Sequence, residues 1–415
     1  MPTINCSDCS SSRFMVSGMV KSRGILVTSS RSIYLGEDRF RFIAVKNSRL
    51  EQDLTFTNIC HRDDFKKMTW QSAFELLDNN LDLPSELVRD LMREILEGRA
   101  EKEDLKRFLI SLKNKGETSD EVGAMVSEMY QFSAPINIDK RAVDIVGTGG
   151  DQANTINIST MSAIVAAAAG AVVVKHGNRA ASSKSGSADL LEALGVSITL
   201  DGEMVAKCVA ELGIGFCFAP NFHPAMRHAA AARKELGVPS VFNILGPLAN
   251  PAKPKSAAIG VANERMHLVM AQVLGDRGVD GFVFRGDDGL DELTLTTTTQ
   301  VLSIGSGEIE SGLVDPIQFG IARAPIEKLV GGDANQNAQI ALSIFKGEPG
   351  APRDAVLLNS AAAIAAYNFD LELDLNTRLQ EALAQAKEAL DTGAALALLQ
   401  RWIKLTNNLA TKTIN

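Results

Sequence analysis

Apolar residues recur at helical spacing through residues 72–129, which predicts a run of amphipathic helices. The stretch LPSELVRDLMREILEGRA carries one apolar face and meets a stop signal at Gly98. The members of that face are Leu87, Leu91, Ile95 and Leu96. EKEDLKRFLISLKNKGET repeats the arrangement and stops at Gly116, and SDEVGAMVSEMYQF predicts another helix. We therefore expect a small all-helical domain in this part of the chain.

The pattern changes after APINIDKR, where short apolar runs alternate with alanine- and leucine-rich helical stretches. The predicted strands lie in AVDIVGTGG, AVVVKHG, VSITL, IGFCFAP, SAAIGVA and VDGFVFRG. Strand, loop and helix in alternation predict an α/β domain with a mostly parallel sheet. The helical segments VLLNSAAAIAAYNF and NTRLQEALAQAKEALDTGAALALLQRWIKLT complete that domain.

The predicted fold class is α/β, in two domains, and a chain of 415 residues is long enough for two packed units. The small all-helical N-terminal domain covers residues 68–138 and is joined by helices from about residues 224–250. The large α/β domain covers residues 139–415, with a mostly parallel central sheet flanked by helices.

Residues 1–67 differ from the rest of the chain, because they begin rich in serine and basic residues and lack a sustained helical or strand period. Three interpretations are open: an organellar transit peptide, a translated upstream stretch with the working start at Met68, or a regulatory arm. The upstream stretch is favoured, since residues 34–67 turn acidic and aromatic and MTWQSAFELLDNNLDLPSELV begins like a protein. We expect an extension that is poorly ordered or non-native.

Composition and charge narrow the class of partner. The chain is 45% apolar and 22% charged, which is ordinary for a soluble globular protein. Its formal net charge of −8 argues against a nucleic-acid surface, which needs a basic footprint. The longest apolar run, about residues 163–174, is too short to span a bilayer. Five cysteines, an odd number, favour a reducing compartment over a disulfide framework. We expect no nucleic-acid or membrane partner, and a cytoplasmic location (a plastid if the source is a plant).

The stretch DIVGTGGDQANTINIST carries the first candidate chemistry. Its pattern predicts a buried strand, a loop of glycines and short polar side chains, and the start of a helix. Ligands of open α/β sheets bind beyond the carboxyl ends of strands, and a glycine-rich loop before a helix offers free N–H groups to an anion. The pattern favours phosphate binding over a simple glycine-rich turn. The candidate ligands are Gly147, Gly149, Gly150, Thr155, Asn157, Ser159 and Thr160.

The next predicted strand runs into KHGNRAASSKSGSAD, a polar loop with two lysines and an arginine among serines and glycines. Such a loop favours a pyrophosphate or a phosphate monoester. A merely solvated basic loop is the weaker interpretation, because a second loop of this kind follows a neighbouring strand. His176 taken alone is typical of a hydrogen-bonded structural histidine. The candidate ligands are Lys175, His176, Asn178, Arg179, Ser182, Ser183, Lys184 and Ser187.

Two further stretches hold candidate ligands. RGDDGLDELTL supplies four acids, and its adjacent Asp291 and Glu292 suit Mg²⁺, which prefers one or two carboxylates together with substrate phosphates and water. Taken alone, this stretch is typical of an acidic turn. In FHPAMRHAAAARKELGVPS, Arg233 follows His223 on a predicted helix and is placed to bind a substrate carboxylate. Taken alone, it is typical of a surface arginine.

Together these motifs resemble the anthranilate phosphoribosyltransferase family of tryptophan biosynthesis. The motifs GTGGD, NxST, KHGNRxxSSKSGSAD, FHPAM, FNxLGPLxNP, a late Asp-Glu pair and GGDAxxNA occur in order between about residues 72 and 406. The long KHGN and FNILGPL motifs are the most specific, and residues 1–67 fall outside the resemblance. The resemblance implies a nucleoside phosphorylase/phosphoribosyltransferase-like fold. It implies transfer of phosphoribosyl from phosphoribosyl pyrophosphate (PRPP) to the amine of anthranilate, with release of pyrophosphate.

The resemblance also implies a role for each matching residue. PRPP would bind Gly147, Gly149, Gly150, Asp151, Thr155, Asn157, Ile158, Ser159, Thr160, Lys175, His176, Gly177, Asn178, Arg179, Ala180, Ala181, Ser182, Ser183 and Ser187. Anthranilate would bind Gly147, His176, Asn178 and Arg233. The cofactor Mg²⁺ would bind Ser159, Asp291 and Glu292. A homodimer built through the helical domain is implied as well, and an anthranilate synthase component is a possible partner.

The implied chemistry needs positioning and electrostatics rather than a catalytic acid or base. A relative of similar architecture binds nucleic acid and lacks transferase activity, so it is the alternative hypothesis. That relative should carry an exposed basic surface and lose substrate or metal residues. This chain is net acidic and keeps Asn178, Arg233, Asp291 and Glu292, which favours the transferase. Pyrimidine nucleoside phosphorylases share the architecture but lack the KHGN…SGSAD run.

Overall fold

The computed structural model describes residues 32–35, 38–41, 62–180 and 183–412. The rest of the 1–67 extension lies outside the described residues, and so do the candidate ligands Ala181 and Ser182. The chain divides into two units, Met1–Asn79 and Asn80–Asn415. The first unit contains an antiparallel hairpin of β1 (Ser32–Leu35) and β2 (Asp38–Arg41), and the helix α1 (Arg62–Asp78).

The second unit contains the remaining helices and strands. Its helices are α2 (Ser85–Leu96), α3 (Lys102–Lys115), α4 (Ser119–Gln131), α5 (Ile158–Ala168), α6 (Ser187–Ala193), α7 (Gly202–Leu212), α8 (Ala219–Phe222), α9 (Arg227–Leu236), α10 (Phe242–Leu248), α11 (Glu264–Asp276), α12 (Ala334–Phe345), α13 (Ala351–Tyr367), α14 (Leu375–Asp391) and α15 (Ala394–Lys412). Its strands are β3 (Val143–Gly147), β4 (Val173–Gly177), β5 (Ile214–Phe218), β6 (Ser256–Gly260), β7 (Asp280–Gly286), β8 (Thr299–Gly305) and β9 (Glu308–Val314).

Helices α2, α3 and α4 confirm the helical periodicity, since the four apolar residues predicted on one face of α2 are all buried. α2 packs on α4. The buried Glu121 forms a capping box with Thr118 at the start of α4, and its carboxylate also accepts a hydrogen bond from the Leu83 N–H at 2.8 Å and one from Lys115 at 2.9 Å. The charge of this buried acid is thereby paired.

The segment after β5 packs back against these helices. α9 contacts α2 and α3, and Glu235 near its end pairs with Lys102 at 2.7 Å and Lys106 at 2.8 Å. α10 contacts α4, and Tyr130 donates to the carbonyl of Leu248 at 3.0 Å. These contacts agree with an addition of residues 224–250 to the helical domain, although the domain boundaries themselves stay predictions.

The seven strands form one sheet in the order β5-β4-β3-β6-β7-β8-β9. Neighbours from β5 to β7 are parallel, and β8 and β9 add an antiparallel hairpin at one edge. This arrangement confirms the predicted mostly parallel sheet. β4 and β6 lie on opposite sides of β3, so the direction of the connections reverses there. Such a reversal leaves a crevice at the carboxyl ends of the strands.

Two details of the sheet differ from the prediction. VSITL is not a strand: Val196, Ile198 and Leu200 are buried, but this segment pairs with no strand of the sheet, and the Ser197 N–H donates instead to the hydroxyl of Thr406 on α15 at 3.2 Å. The alternation of apolar and polar residues in this segment therefore reflects the burial of one of its sides, and such burial does not require pairing with a neighbouring strand. The hairpin β8–β9 was not predicted, and β9 is largely exposed as an edge strand.

The core lies between the sheet and its helices. α13 packs on α5, on α14 and on β6, and all of its residues from 355 to 366 are buried. The alanines of this helix allow such close packing on every side. Among the described residues, no helix is both long enough and apolar enough to cross a bilayer.

Candidate active site

Three loops meet at the carboxyl edge of the sheet. Residues 148–157 follow β3, residues 178–186 follow β4, and residues 287–298 follow β7. Thr148 links the first loop to β6, because its N–H donates to the Gly260 carbonyl at 3.0 Å. The two glycine-rich loops and the acidic stretch, separate in the sequence, therefore converge at the crevice beside β3.

The last residues of β3 and β6 are glycines because Asp291 lies directly over both. A Cβ on Gly147 would collide with the carboxylate of Asp291, and a Cβ on Gly260 would collide with its backbone carbonyl. The Gly149 N–H donates to Asp291 Oδ2 at 2.6 Å. The carboxylate is therefore held at the switch point of the sheet.

Asp291 and Glu292, which we call the acidic pair, carry poorly compensated charge. Burial, followed by the nearby Asp151, raises the pKa of Asp291 to about 7. Burial, followed by the charge of Asp291, raises the pKa of Glu292 well above its usual range, although a hydrogen bond from the Ser159 backbone lowers it. Two carboxyls that resist ionisation together indicate a place for a cation.

The other two acids of this stretch have a different role. Asp287 accepts hydrogen bonds from Thr298 and, at 3.1 Å, from Gln300. Asp288 accepts from Thr294 at 2.7 Å and from Thr296. Both side chains therefore order the threonine-rich turn, and only the acidic pair faces the loop after β3.

Lys175 lies on β4 beneath the loops rather than in them, and only 1% of it is exposed. Its Nζ donates to the carbonyl of Ile145 and, at 3.2 Å, to Ser159 Oγ. Burial lowers the pKa of Lys175, and the charges of Asp144 and the acidic pair raise it. The polar loop therefore begins after this residue, and Lys175 supplies a buried positive charge next to three carboxyls.

His176 is also part of β4 and is buried. Its Nδ1 lies 2.9 Å from the Gly246 carbonyl of α10, and its ring centroid is 5.2 Å from that of His223. Nε2 has no hydrogen-bond partner within the described part of the chain. Burial lowers the pKa of His176 to about 3, so the imidazole is neutral and Nε2 is a free acceptor.

Loop 178–186 is organised by Asp189 of α6. Its carboxylate accepts from the N–H of Ala180 at 3.0 Å and from the N–H of Gly186 at 2.8 Å. Arg179 pairs with Asp189 at 3.0 Å and lies half-exposed over the ring of Phe218. Asn178 and Ser183 are exposed, and Gly177 and Ser187 are half-buried on either side of the loop.

The loop after β3 leads into α5 at the same edge. Gly149 and Gly150 are exposed and have φ angles of 69° and 90°, which only glycine adopts easily. Asp151, Thr155, Asn157 and Ser159 are half-buried. The side chains of Ile158 and Thr160 are buried, and Thr160 Oγ1 has no hydrogen-bond partner among the residues described.

Arg233 lies on α9, and its guanidinium is 5.8 Å from the ring centroid of Phe242 on α10. It forms no ion pair within the described ranges, and burial lowers its pKa. An arginine stays charged in a protein, so this half-buried cation is available to an anion. Arg233 and His176 border the same short helix, α10. Arg233 lies over Phe242 of that helix, and His176 lies against the carbonyl of its Gly246.

The described residues contain no ready-made metal site of three or more His, Cys, Asp or Glu side chains. The acidic pair and the hydroxyl of Ser159 form a smaller set of hard oxygen ligands, and such a set suits Mg²⁺ that also binds substrate phosphates and water. The raised pKa values of both carboxyls fit a site whose charge balance requires a cation. The candidate ligands therefore fit the predicted ion.

A cavity of about 770 Å³ lies away from these loops. It is bordered by the linker after α4, by the start of α7 and by residues 251–253. None of the predicted ligands borders this cavity. The candidate site lies instead at the carboxyl edge of the sheet, where the three loops meet.

Sequence reasoning missed three buried polar residues that support the site. Asp144 Oδ1 accepts from the His176 N–H at 3.2 Å, and its Oδ2 accepts from Asn250 at 2.8 Å. Asn337 donates to Asn157 at 2.8 Å. Asn250 and Asn337 belong to the quoted motifs FNILGPLANP and GGDANQNA, so the signal was present, but those stretches suggested no ligand chemistry.

Comparison with known proteins first defines the class. Residues 139–396 match the model described as "Glycosyl transferase family, a/b domain". Residues 74–133 match the model described as "Glycosyl transferase family, helical bundle domain". The chain is thus a glycosyl transferase with the two-part architecture that its helical and strand patterns predicted.

Individual relatives are more specific. The chain is 50% identical to the anthranilate phosphoribosyltransferase of Rhodococcus jostii, over 83% of this chain and 95% of that protein. It is similar to the crystal structure of the Thermus thermophilus anthranilate phosphoribosyltransferase, with a TM-score of 0.75, 40% identity and coverage of 81% and 99% of the two chains. The Saccharomyces cerevisiae enzyme in complex with PRPP and Mg has a TM-score of 0.75 and 26% identity over 83% of this chain and 99% of its own. The chain belongs to the anthranilate phosphoribosyltransferase family, and the resemblance seen in its motifs is confirmed.

Proposed function

We propose that this chain transfers the 5-phosphoribosyl group of PRPP to the amine of anthranilate, giving N-(5-phosphoribosyl)anthranilate and pyrophosphate in tryptophan biosynthesis. The observation that carries the proposal is the meeting of a glycine-rich, a polar and an acidic loop at one edge of the sheet. That edge belongs to a chain 50% identical to a named anthranilate phosphoribosyltransferase.

PRPP would bind along the loops after β3 and β4. The exposed Gly149 and Gly150 allow phosphate oxygens to approach the backbone in the loop that leads into the first turn of α5. Asn157 and Ser159 add side-chain donors beside that turn. We assign to Lys175 an indirect part, because its buried ammonium holds Ser159 and balances nearby carboxylates.

Mg²⁺ would be held by the acidic pair and Ser159. When bound, the ion supplies positive charge that offsets the charge developing on the pyrophosphate. The chain's own contribution is to keep Asp291 over the ends of β3 and β6, where the Gly149 N–H fixes one carboxylate oxygen. Ionisation of both carboxyls is unfavourable without a cation, which favours binding of the ion together with its substrate.

Anthranilate would bind beside α10, where Arg233 is the available cation for its carboxylate. The exposed Asn178 at the start of loop 178–186 would contact the same substrate, as would Gly147 at the end of β3. The buried His176 would support this site from beneath, since its Nδ1 lies 2.9 Å from the Gly246 carbonyl of α10. These contacts would orient the amine toward C1 of the ribose.

The other contribution of the site to the reaction is to position the two substrates. Breaking the bond at C1 builds positive charge on the ribose and negative charge on pyrophosphate, so oriented dipoles and charges stabilise the transition state. An aromatic amine is weakly basic and already neutral at about pH 7, so its nitrogen needs no strong base to become a nucleophile. Neither a covalent intermediate nor a dedicated acid is part of the proposal.

Assembly and location are two further proposals. We propose a homodimer through the helical domain, by analogy with the family, and a cytoplasmic location. An association with an anthranilate synthase component is compatible with this function. None of these features affects the assignment of the substrates.

The test follows anthranilate fluorescence after addition of PRPP and Mg²⁺ to the purified chain, with samples lacking PRPP or containing EDTA as controls. Loss of fluorescence that requires both PRPP and Mg²⁺ supports the transferase. If fluorescence persists with folded protein and saturating substrates, the proposal is wrong. A nucleic-acid titration would then test the alternative of an inactive binding relative.

A further inference from the structure

Asn337, on α12, ties together three segments of the candidate site although it lies outside the loops predicted to bind substrate. Only 1% of this residue is exposed. Its Nδ2 donates to Asn157 Oδ1 at 2.8 Å, and its Oδ1 accepts from the Gly332 N–H at 2.8 Å. Both polar atoms are thus engaged within the protein.

The amide of Asn157 is fixed by the same network. Its Oδ1 accepts from Asn337 and from Ser185 Oγ, the latter at 3.2 Å, and its Nδ2 donates to the Ser185 carbonyl at 2.9 Å. Asn157 directly precedes α5, and Ser185 lies in the loop before α6. The network therefore sets the distance between the two loops proposed to hold PRPP.

The backbone ahead of α12 reinforces this connection. Thr155 forms an antiparallel bridge with Val330, and the Ile156 N–H donates to the Leu329 carbonyl at 2.9 Å. Gly331 has no space for a side chain, since a Cβ there would lie 2.6 Å from Asn337 Oδ1. Segment 329–337 thus supports the back of loop 154–157.

We propose that Asn337 is a positioning residue for PRPP, acting through Asn157 without touching either substrate. It orients the amide of Asn157 and the first turn of α5 toward the pyrophosphate. The inference rests on the proposed function. It predicts an effect on PRPP that is larger than the effect on anthranilate, because the amide of Asn337 bonds to Asn157 and to its own segment, and it reaches Ser185 of the second PRPP loop through Asn157.

The first experiment compares Asn337→Ala with the full-length wild-type chain. We expect the KM for PRPP to rise roughly tenfold, the size of effect typical for a lost buried hydrogen bond, and the KM for anthranilate to change less than about twofold. Thr406→Val is the matched control, because Thr406 is 1% exposed and its hydroxyl accepts the Ser197 N–H far along the chain on α15. This control should lose stability and keep both KM values.

A double-mutant cycle separates positioning from a general loss of structure. Asn157→Ala should weaken PRPP binding by itself, and Asn337→Ala should then add little in that background. If Asn337→Ala folds poorly, Asn337→Asp keeps the acceptor for Gly332 and, once ionised, places a second acceptor against Asn157 Oδ1, so at least the same rise in PRPP KM is expected at a pH where the new carboxyl is ionised.

Three results would overturn the inference: a wild-type PRPP KM in the folded Asn337 variants, equal changes in both KM values, or full additivity with Asn157→Ala. Calorimetric titration of PRPP with Mg²⁺ gives a second reading that does not depend on turnover. If the wild-type chain itself neither binds PRPP nor consumes anthranilate, the proposed function fails. If the wild type binds PRPP and consumes anthranilate but the Asn337 variants keep the wild-type KM for PRPP, the role of Asn337 is refuted and the proposed function stands.

Discussion

Lys175 is a buried positive charge whose removal has a calculable consequence. Its ammonium lies near the carboxylate of Asp144, which is itself 1% exposed. Burial raises the pKa of Asp144 from an ordinary value of 3.8 to about 6, even though Lys175 and a hydrogen bond from Asn250 lower it. Substitution of Lys175 by Met keeps an unbranched side chain one atom shorter and removes the charge. The pKa of Asp144 must then rise further.

The sign of the pH effect follows from this shift. A carboxyl whose folded pKa is raised holds its proton in the folded state at pH values where the unfolded chain has lost it, so stability falls as pH rises toward the folded pKa. In the wild type this decline from Asp144 ends near pH 6. In Lys175→Met it continues to higher pH.

The free energy of unfolding falls by about 1.4 kcal/mol for each pH unit in which Asp144 is protonated in the folded chain and ionised in the unfolded chain. For each unit by which the pKa of Asp144 rises in the variant, the variant loses roughly 1.4 kcal/mol more than the wild type at a pH above both pKa values. Breaking a buried ion pair typically costs roughly 3–5 kcal/mol in all, which bounds this loss. In a domain of this size each kcal/mol lowers the Tm by roughly 2–4 °C.

The assay is thermal and urea unfolding of both proteins between pH 5.5 and pH 8.5, without substrates. Lys115→Met is a matched control, because Lys115 is also a buried lysine and pairs with the buried Glu121 at 2.9 Å, remote from the loops. We expect Lys115→Met to lose stability and keep its activity, and Lys175→Met to lose both. Parallel pH curves for Lys175→Met and the wild type would refute the reasoning about Asp144.

Three further outcomes are expected. Arg233→Ala should raise the KM for anthranilate roughly 10- to 100-fold, the worth of a charge-assisted pair, with little change in the KM for PRPP; equal losses in steady-state kinetics would reject the assignment. Asp291→Asn or Glu292→Gln should raise the Mg²⁺ concentration for half-maximal activity at least tenfold, whereas Asp287→Asn, whose carboxylate accepts from Thr298 and Gln300, should leave it within about twofold. Because the pKa of Asp291 is raised to about 7 and the ligand must be deprotonated, the Mg²⁺ requirement should rise about tenfold per pH unit below pH 7, and a flat Mg²⁺ requirement from pH 8 to pH 6 would contradict that.

The periodicity of the chain predicted most of the fold because burial repeats differently in helices and strands. The face of α2 was readable, since its four apolar residues recur at helical spacing and are buried. VSITL shows the limit of that signal. Its alternating residues are buried, yet its backbone reaches Thr406 rather than a neighbouring strand. A pattern of burial cannot specify which backbone groups pair.

The chemistry of the candidate site was likewise predicted in part from the sequence. Residue types and their order were enough to recognise the family and the ligand classes, because glycines beside a helix start, cations among serines and adjacent acids each have local chemical meaning. Local sequence could not tell Asp288 from Asp291. One carboxylate turns toward threonines, and the other lies over two glycines at the ends of β3 and β6.

The sequence by itself determined most of the helical and strand segments, the family and the set of candidate ligands, because these depend on spacing and residue type within short stretches. Only the tertiary structure decided that Lys175 is buried beneath the loops and that Asn337 supports Asn157 from 180 positions away. Such pairs form where distant strands and helices meet in the sheet. Their hydrogen bonds depend on distances in space, and the order of residues does not record those distances.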